Sequence, residues 1–219
     1  MYNGDTKEKI ENIIHGSLID GCRDNCTTVR NFLCAGYSTS TTVKRNFESN
    51  ALIKEEQELS LREYATAQQL WVIQLPKHYL TRGGESQVYL GENLTHVIKV
   101  NDAIYYATWF EYFNSLLLHN LFFSDTAYEL LGFITVEDKL YAVVRQLFII
   151  ADGQAELEDI REFLGFNGYE NTRRQDYFNK EFGLILEDMH DENVIIKNEK
   201  LFFIDTVFYI VKPAAFPNK

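Results

Sequence analysis

Two neighbouring stretches of the chain decide how the rest is interpreted: LEDMHDENVII at residues 186–196 and FFID at residues 202–205. Within them, Asn193 follows Asp188 by five residues and precedes Asp205 by twelve. Phosphoryl-transfer sites use this spacing for a catalytic Asp and two metal ligands, and Mg²⁺ prefers amide and carboxylate oxygens. We therefore predict Asp188 as a catalytic residue and Asn193 and Asp205 as metal ligands. The alternative is a solvated acidic loop.

A further charged residue, Lys99, lies in HVIKV at residues 96–100, an apolar run that is predicted to be a strand. Burying an ammonium group is unfavourable by several kcal/mol unless the charge is paired. Lys99 is therefore either a ligand of a bound phosphate or a lysine on a solvent-facing edge. The expected ion-pair partner is Glu111, which lies on the next predicted helix.

The segment TRGGESQV, residues 81–88, lies between two predicted strands. Small residues allow backbone N–H groups to approach a phosphate closely. Gly83, Gly84, Ser86 and Val88 are therefore candidate nucleotide-binding residues, although a Gly-Gly pair also occurs in ordinary hairpin turns.

Short helices and strands are predicted around these motifs. The first 75 residues are mainly helical, with a loop at 38–42. The central part contains strands at 87–90 and 96–100, a helix at 103–120, and strands at 132–136 and 140–148. The remainder contains helices at 155–164 and 174–182, followed by apolar runs at 184–186, 193–196 and 201–204, with a hairpin turn at 197–200.

This order predicts an α+β fold with two lobes. We expect a helical N-terminal extension over residues 1–75, and an upper lobe with a small antiparallel sheet and one helix over residues 76–148. A reduced lower lobe, which carries the 186–205 region, is expected over residues 149–219.

The composition limits the possible partners. A net charge of −11 disfavours binding to nucleic acid, which depends on Lys and Arg contacts to phosphate. No apolar run approaches the ~20 residues that a membrane-spanning helix requires, and the N-terminus does not have the pattern of a signal peptide. We therefore expect a cytoplasmic protein that binds neither nucleic acid nor membrane.

The cysteines Cys22, Cys26 and Cys34 are interpreted as free thiols on a helical segment. A zinc site would require a fourth ligand, and His15 is the only histidine nearby.

On these residues the chain resembles the protein-kinase-like superfamily. It is most similar to the serine/threonine/tyrosine kinase domain found in polyvalent proteins of phages and conjugative elements. The resemblance extends from about residue 71 to residue 210 and is carried by residues 83–89, 97–99, 118–120, 132–133, 188–194 and 203–205. The catalytic segment also resembles that of aminoglycoside phosphotransferases, which place a His, here His190, two residues after the catalytic Asp.

The resemblance implies a kinase-like fold with ATP and Mg²⁺ as cofactors. Lys99 would hold the α- and β-phosphates with Glu111 as its partner, and Asp188 would position or deprotonate the acceptor hydroxyl. Asn193 and Asp205 would hold the magnesium. The phosphate acceptor, a protein or a small molecule, is not identified by the resemblance.

The chain also departs from ordinary protein kinases. Leu186 and Glu187 replace the His and Arg that precede the catalytic Asp, and Thr206 and Val207 replace the Phe and Gly that follow the metal-binding Asp205. Two alternatives to an active phosphotransferase therefore stay open. One is a nucleotide-binding pseudokinase or interaction module of a mobile element; the other is a metal-dependent hydrolase or nuclease that uses Asp188, His190, Asp191 and Asp205.

Overall fold

The structure is a computed structural model that describes residues 4–37, 47–84 and 86–211. The predicted loop at 38–42 and Glu85 of the glycine-containing turn lie outside these ranges. The helices are α1 (Gly4–His15), α2 (Asn25–Tyr37), α3 (Phe47–Ala67), α4 (Trp109–Phe122) and α5 (Leu157–Phe166). Within the described ranges, no helix is both long and apolar enough to cross a membrane.

The central sheet has five antiparallel strands in the order β1-β2-β3-β5-β4. Helix α4 lies between β3 and β4 in the chain, and short turns join β1 to β2, β2 to β3 and β4 to β5. The mixed α+β fold with antiparallel sheets is therefore confirmed. The strands are β1 (His78–Arg82), β2 (Ser86–Leu90), β3 (His96–Asn101), β4 (Glu129–Val136) and β5 (Lys139–Leu147).

Two smaller antiparallel sheets follow. One has the order β11-β10-β6 and the other β12-β9-β8-β7. Their strands are β6 (Gly153–Gln154), β7 (Tyr169–Arg173), β8 (Asp176–Asn179), β9 (Leu184–Glu187), β10 (Val194–Lys197), β11 (Lys200–Phe203) and β12 (Val207–Ile210). The predicted hairpin at 197–200 is present, since Lys197 pairs with Lys200.

The helix predicted at 174–182 is wrong, because β8 lies there. Tyr177 and Asn179 are buried while Asp176 and Phe178 are only partly buried, which is the two-residue alternation of a strand. The preceding turn contains Arg174 with φ 52°, a conformation that a helix does not use. The other helix predicted in this region is found as α5.

Helix α4 lies at the centre of the core. Because it is apolar on nearly all sides, it has to be covered on more than one face. This covering comes from Phe133 of the five-stranded sheet, whose ring contacts Trp109 and Phe113, and from β12 and the N-terminal helices α1, α2 and α3. Ile10 and Ile13 of α1 and Val29 of α2 therefore belong to the same hydrophobic cluster as Trp109 and Phe113 of α4.

Helix α3 supplies polar contacts to the start of α4. The ammonium of Lys54 donates to the carbonyl oxygens of Ala103 (2.6 Å) and Tyr106 (3.0 Å). The side-chain oxygen of Gln57 accepts from the backbone N–H of Phe110 at 3.1 Å. The bond to Gln57 satisfies a backbone N–H that the first turn of α4 leaves without an intrahelical partner. The bonds from Lys54 hold the loop that leads into the helix.

The chain after α3 forms a parallel β-bridge with β4, next to a glycine. The N–H of Phe133 donates to Leu70 O at 2.7 Å, and the N–H of Val72 donates to Phe133 O at 2.8 Å. Gly132 has φ +146°, and a Cβ at this position would overlap the Leu70 carbonyl oxygen. This close contact therefore requires glycine at 132 for both conformational and steric reasons.

We expect Gly132→Ala to lower the free energy of unfolding by about 3 kcal/mol, because the residue would be strained and would displace Leu70. Urea denaturation measures the loss. Gly165→Ala is the matched control: it lies in α5 with no atom within 4 Å of an added Cβ, and it should be neutral or slightly stabilising. Equal stability of the two variants would contradict this account of Gly132.

Candidate active site

The order of the strands brings the predicted catalytic and metal-binding residues to one edge. Strand β9 ends at Glu187, which pairs with Val207 at the start of β12. Asp188 directly follows β9, and Asp205 precedes β12 by two residues. Antiparallel neighbours run in opposite directions, so the end of β9 lies beside the start of β12. The backbones at Asp188 and Asp205 are therefore at the same edge of this sheet.

Asn193 lies next to the Asp205 segment through the β10–β11 hairpin. The N–H of Ile204 donates to the carbonyl oxygen of Asn193 at 3.0 Å, which extends the hairpin by one residue pair beyond Val194 and Phe203.

The Asp188 carboxylate is held by two neighbouring side chains. Asn193 Nδ2 donates to Asp188 Oδ2 at 3.0 Å and to the Asp188 carbonyl oxygen at 2.9 Å. His190 Nε2 lies 3.1 Å from Asp188 Oδ1, and His190 Nδ1 accepts from the N–H of Glu192 at 3.2 Å. The carboxylate is therefore oriented from two sides, while the Asp188 side chain remains 61% exposed and can be reached by a substrate.

Asp188 has a left-handed backbone conformation, with φ 68°. Such a conformation is uncommon for residues other than glycine, although Asp adopts it more readily than most. Strained residues of this kind are concentrated at functional sites, which is consistent with the predicted role of Asp188.

Lys99 lies on the sheet face that packs against the core, and its side chain is only 7% exposed. Its ammonium donates to Ile204 O at 2.7 Å and lies 3.5 Å from Asp205 Oδ2. It also lies 5.4 Å from the centre of the Tyr128 ring. The buried charge is thus compensated by a carboxylate, a carbonyl oxygen and an aromatic face.

The four principal predicted residues are connected by consecutive contacts. Lys99 contacts Asp205 and the Ile204 carbonyl, Ile204 bonds to Asn193, and Asn193 bonds to the Asp188 carboxylate. The structure therefore brings Lys99, Asp188, Asn193 and Asp205 together.

Glu111 is not brought to Lys99. Among the described residues, the Lys99 ammonium contacts the Ile204 carbonyl and Asp205, and Glu111 Oε2 instead accepts from the N–H of Ala107 at 3.2 Å. The reason is the position of Glu111 in the first turn of α4, where unpaired N–H groups and the helix dipole attract a carboxylate.

The glycine-containing turn joins β1 to β2. The N–H of Gly83 donates to Ser86 O at 2.9 Å, and a Cβ on Gly84 would lie 3.0 Å from the Tyr105 hydroxyl. Val88 of β2 pairs directly with Lys99 of β3. The turn is therefore attached to the strand next to Lys99.

Several residues of the site were not predicted from the sequence. His119 is fully buried, with Nδ1 2.7 Å from Thr206 Oγ1 and Nε2 2.9 Å from Thr126 O. The Tyr128 hydroxyl donates to Ile204 O at 2.9 Å and lies 3.5 Å from Asp205 Oδ1. A polar residue within the apolar run LLLHN of α4 was a signal, since buried polar side chains require partners.

Burial lowers the pKa of His119 from 6.5 to about 3. Loss of hydration is the largest cause, and the charge of Lys99 acts in the same direction, whereas the hydrogen bond to the Thr126 carbonyl opposes them. His119 is therefore neutral at physiological pH.

The donor set fits a magnesium ion that is shared with nucleotide phosphates. Asn193 and Asp205 provide oxygen atoms, and Mg²⁺ is commonly held by one or two protein ligands together with phosphates and water. In the ranges that the structure describes, no group of three or more His, Cys, Asp or Glu side chains is arranged to hold a metal. The hydrolase alternative requires such a group.

The N-terminal cysteines do not form a metal site in the described part of the chain. Cys22, Cys26 and Cys34 are free thiols, and burial raises the pKa of Cys26 to about 12.

A cavity of about 660 Å³ lies between α5 and the β10–β11 hairpin, with Phe163 and Phe203 in its lining. None of the predicted site residues lines this cavity. It is therefore distinct from the cluster formed by Lys99, Asp188, Asn193 and Asp205.

Among known proteins, the chain matches the family described as "Serine/Threonine/Tyrosine Kinase found in polyvalent proteins" over residues 54–212. The resemblance inferred from the motifs is thus confirmed, and the matched range begins within α3. No curated protein and no solved structure matches the chain.

The low pKa of His119 predicts acid sensitivity. In the unfolded chain His119 binds a proton near pH 6.5, but in the folded protein only near pH 3, so stability falls as the pH drops below about 6.5. Between pH 7.5 and 5.5, His119 should account for about 1.4 kcal/mol of lost unfolding free energy.

Urea denaturation of the wild type and of His119→Gln at both pH values measures this difference. His78→Gln, at an exposed position of β1, is the control and should behave as the wild type does. The same loss on acidification in wild type and His119→Gln would refute the prediction.

Proposed function

We propose that this chain, which belongs to the family of serine/threonine/tyrosine kinases found in polyvalent proteins, is an ATP- and magnesium-dependent phosphotransferase. The observation that carries the proposal is the unbroken series of contacts from Lys99 through Asp205 and Ile204 to Asn193 and Asp188. A phosphate ligand, two metal ligands and a candidate base are the groups that phosphoryl transfer requires from a protein.

Lys99 and Asp205 would exchange partners when the nucleotide binds. In the free protein, the ammonium of Lys99 compensates the carboxylate of Asp205 at 3.5 Å. In the complex, Lys99 would donate to phosphate oxygens, and Asp205 and Asn193 would provide oxygen ligands to magnesium. The metal would supply charge neutralisation at the phosphates.

Asp188 would act on the acceptor. The acceptor hydroxyl oxygen bonds to the γ-phosphorus while the bond from that phosphorus to the β–γ bridging oxygen breaks, so that ADP leaves. The hydroxyl proton passes to the Asp188 carboxylate, which Asn193 and His190 hold in orientation.

The architecture that we propose has two lobes that meet at this site. Lys99 and the β1–β2 turn belong to an upper lobe, residues 76–148, and the other three residues belong to a reduced lower lobe, residues 149–219. Gly83, Gly84, Ser86 and Val88 would lie along the phosphates. Glu111 is not included, because its carboxylate binds the N-terminal end of its own helix.

A pseudokinase is the second candidate, and one observation favours it. Val207 already pairs with Glu187 two residues after Asp205, so the chain has no long segment there to receive a peptide acceptor. Either the acceptor is small, or nucleotide binds without transfer.

Calorimetry and a transfer assay with γ-labelled ATP test the proposal. The wild type should bind ATP more tightly with Mg²⁺ than without it, and Asp205→Ala should lose this dependence because an oxygen ligand is lost. Asp188→Asn should retain binding but lose about 10²-fold or more of transfer to water or acceptor.

Asp159→Asn, an exposed position on α5, is the control and should match the wild type in both assays. A wild type that does not bind ATP would overturn the proposal. ATP binding without measurable transfer would favour the pseudokinase.

Lys99→Met tests the phosphate ligand. The substitution removes the ammonium but keeps an unbranched side chain, so the affinity for ATP with Mg²⁺ should fall about tenfold or more. Folding should be affected less, because Asp205 is partly exposed and Tyr128 still donates to Ile204 O. Lys77→Met, an exposed position, is the control; unchanged ATP affinity in Lys99→Met would exclude Lys99 from the site.

A further inference from the structure

We propose that His119 is a positioning residue for Asp205, which it fixes by accepting a hydrogen bond from the hydroxyl of the adjacent Thr206. The role of Asp205 as a metal ligand rests on the proposed function. The anchoring itself is a property of the free protein and can be measured without nucleotide.

The hydrogen-bond pattern determines the tautomer of His119. A carbonyl oxygen can only accept, so the contact of 2.9 Å between Nε2 and Thr126 O places the proton on Nε2. Nδ1 therefore carries a lone pair, and Thr206 Oγ1, at 2.7 Å, has to be the donor. Because burial keeps His119 neutral, this donor and acceptor pattern persists at ordinary pH.

The Thr126 carbonyl is itself held in place. The carbonyl oxygen also accepts from Gln146 Nε2 at 2.7 Å, and the side chains of Thr126 and Gln146 are almost completely buried. The imidazole thus has a fixed orientation, since one of its nitrogens is bound to a backbone group that β5 also holds.

Helix α4 binds the Asp205 segment at two points. His119 and Ser115 are four residues apart and lie on the same face of the helix. Ser115 Oγ accepts from the N–H of Phe208 at 2.9 Å, and His119 accepts from Thr206. Asp205 directly precedes Thr206, so the bond from Thr206 to His119 ties the backbone beside Asp205 to α4.

Side chains from the rest of the core bind the residues before Asp205. The Ile204 carbonyl accepts from both Lys99 and Tyr128, and the Phe203 carbonyl accepts from Thr126 Oγ1. The segment 203–208 is therefore bonded on both sides of Asp205. The other bonds use backbone groups of the segment, which a substitution there does not remove. The bond to His119 uses the side-chain hydroxyl of Thr206, so a substitution of Thr206 can remove it alone.

The test is a comparison of Thr206→Val with Thr206→Ser. Valine has nearly the shape of threonine but no donor, so it leaves the buried Nδ1 lone pair of His119 without a partner. Serine keeps the hydroxyl. If residue 206 acted only through packing, Thr206→Ser would perturb the segment more than Thr206→Val, because serine lacks the methyl group of threonine.

The first measurement is amide hydrogen exchange of the free protein, followed by NMR. In Thr206→Val, amides in 205–208 should exchange about tenfold faster than in the wild type, relative to amides of β3 and β5 in the same protein. In Thr206→Ser, they should exchange as in the wild type. Unchanged exchange in Thr206→Val would overturn the proposal whatever the nucleotide data show.

The second measurement is the ratio of ATP dissociation constants without and with Mg²⁺. Thr206→Val should reduce this ratio about fivefold or more, and Thr206→Ser should restore it. Faster exchange in Thr206→Val with an unchanged ratio would overturn the positioning role. A wild type without Mg²⁺-dependent ATP binding would overturn the proposed function, while the exchange data would still decide whether His119 anchors the segment.

Discussion

The charge of Lys99 is the constraint on which the arrangement of the site depends. Placing an ammonium on an inward-facing strand position is unfavourable unless partners are supplied from elsewhere in the chain. The partners are the Ile204 carbonyl and Asp205, which lie more than one hundred residues further along the sequence. Satisfying one buried charge therefore ties the five-stranded sheet to the C-terminal hairpin, and the same contact brings the candidate phosphate ligand to the candidate metal ligand.

Spacing in the sequence was sufficient to predict Asp188, Asn193 and Asp205, and a charge inside an apolar strand was sufficient to predict Lys99; the structure connects these four residues by contacts. Spacing was sufficient because Asp188, Asn193 and Asp205 border short strands whose hairpin turn is itself visible in the sequence. Spacing was insufficient for the partner of Lys99. Glu111 was expected because it lies on the next predicted helix, but its carboxylate accepts locally from the N–H of Ala107, just before that helix.

Tertiary interactions explain the other differences. Strand β8 is paired with both β7 and β9, and these pairings outweigh the helical preference that its sequence suggested. The bonds of His119 link α4 with Thr206, almost ninety residues away, and with a backbone carbonyl. Every residue has a backbone carbonyl, so the sequence does not show which carbonyl accepts a bond from His119. The polar position of His119 in an apolar helix indicated that partners exist but not which they are.

The β-bridge that joins residues 70–72 to β4 and the bonds from Lys54 and Gln57 have a consequence for how the domain can be excised or transplanted. A fragment cut at residue 75, where the composition changes, would lose both the bridge to β4 and the groups that bind the start of α4 and the loop before it. An autonomous expression fragment should therefore begin before α1, since α1 and α2 also cover α4. The same boundary applies to any fusion in which this domain is joined to a neighbouring one, since a junction inside α3 would disturb the helix that supports the Lys99 sheet.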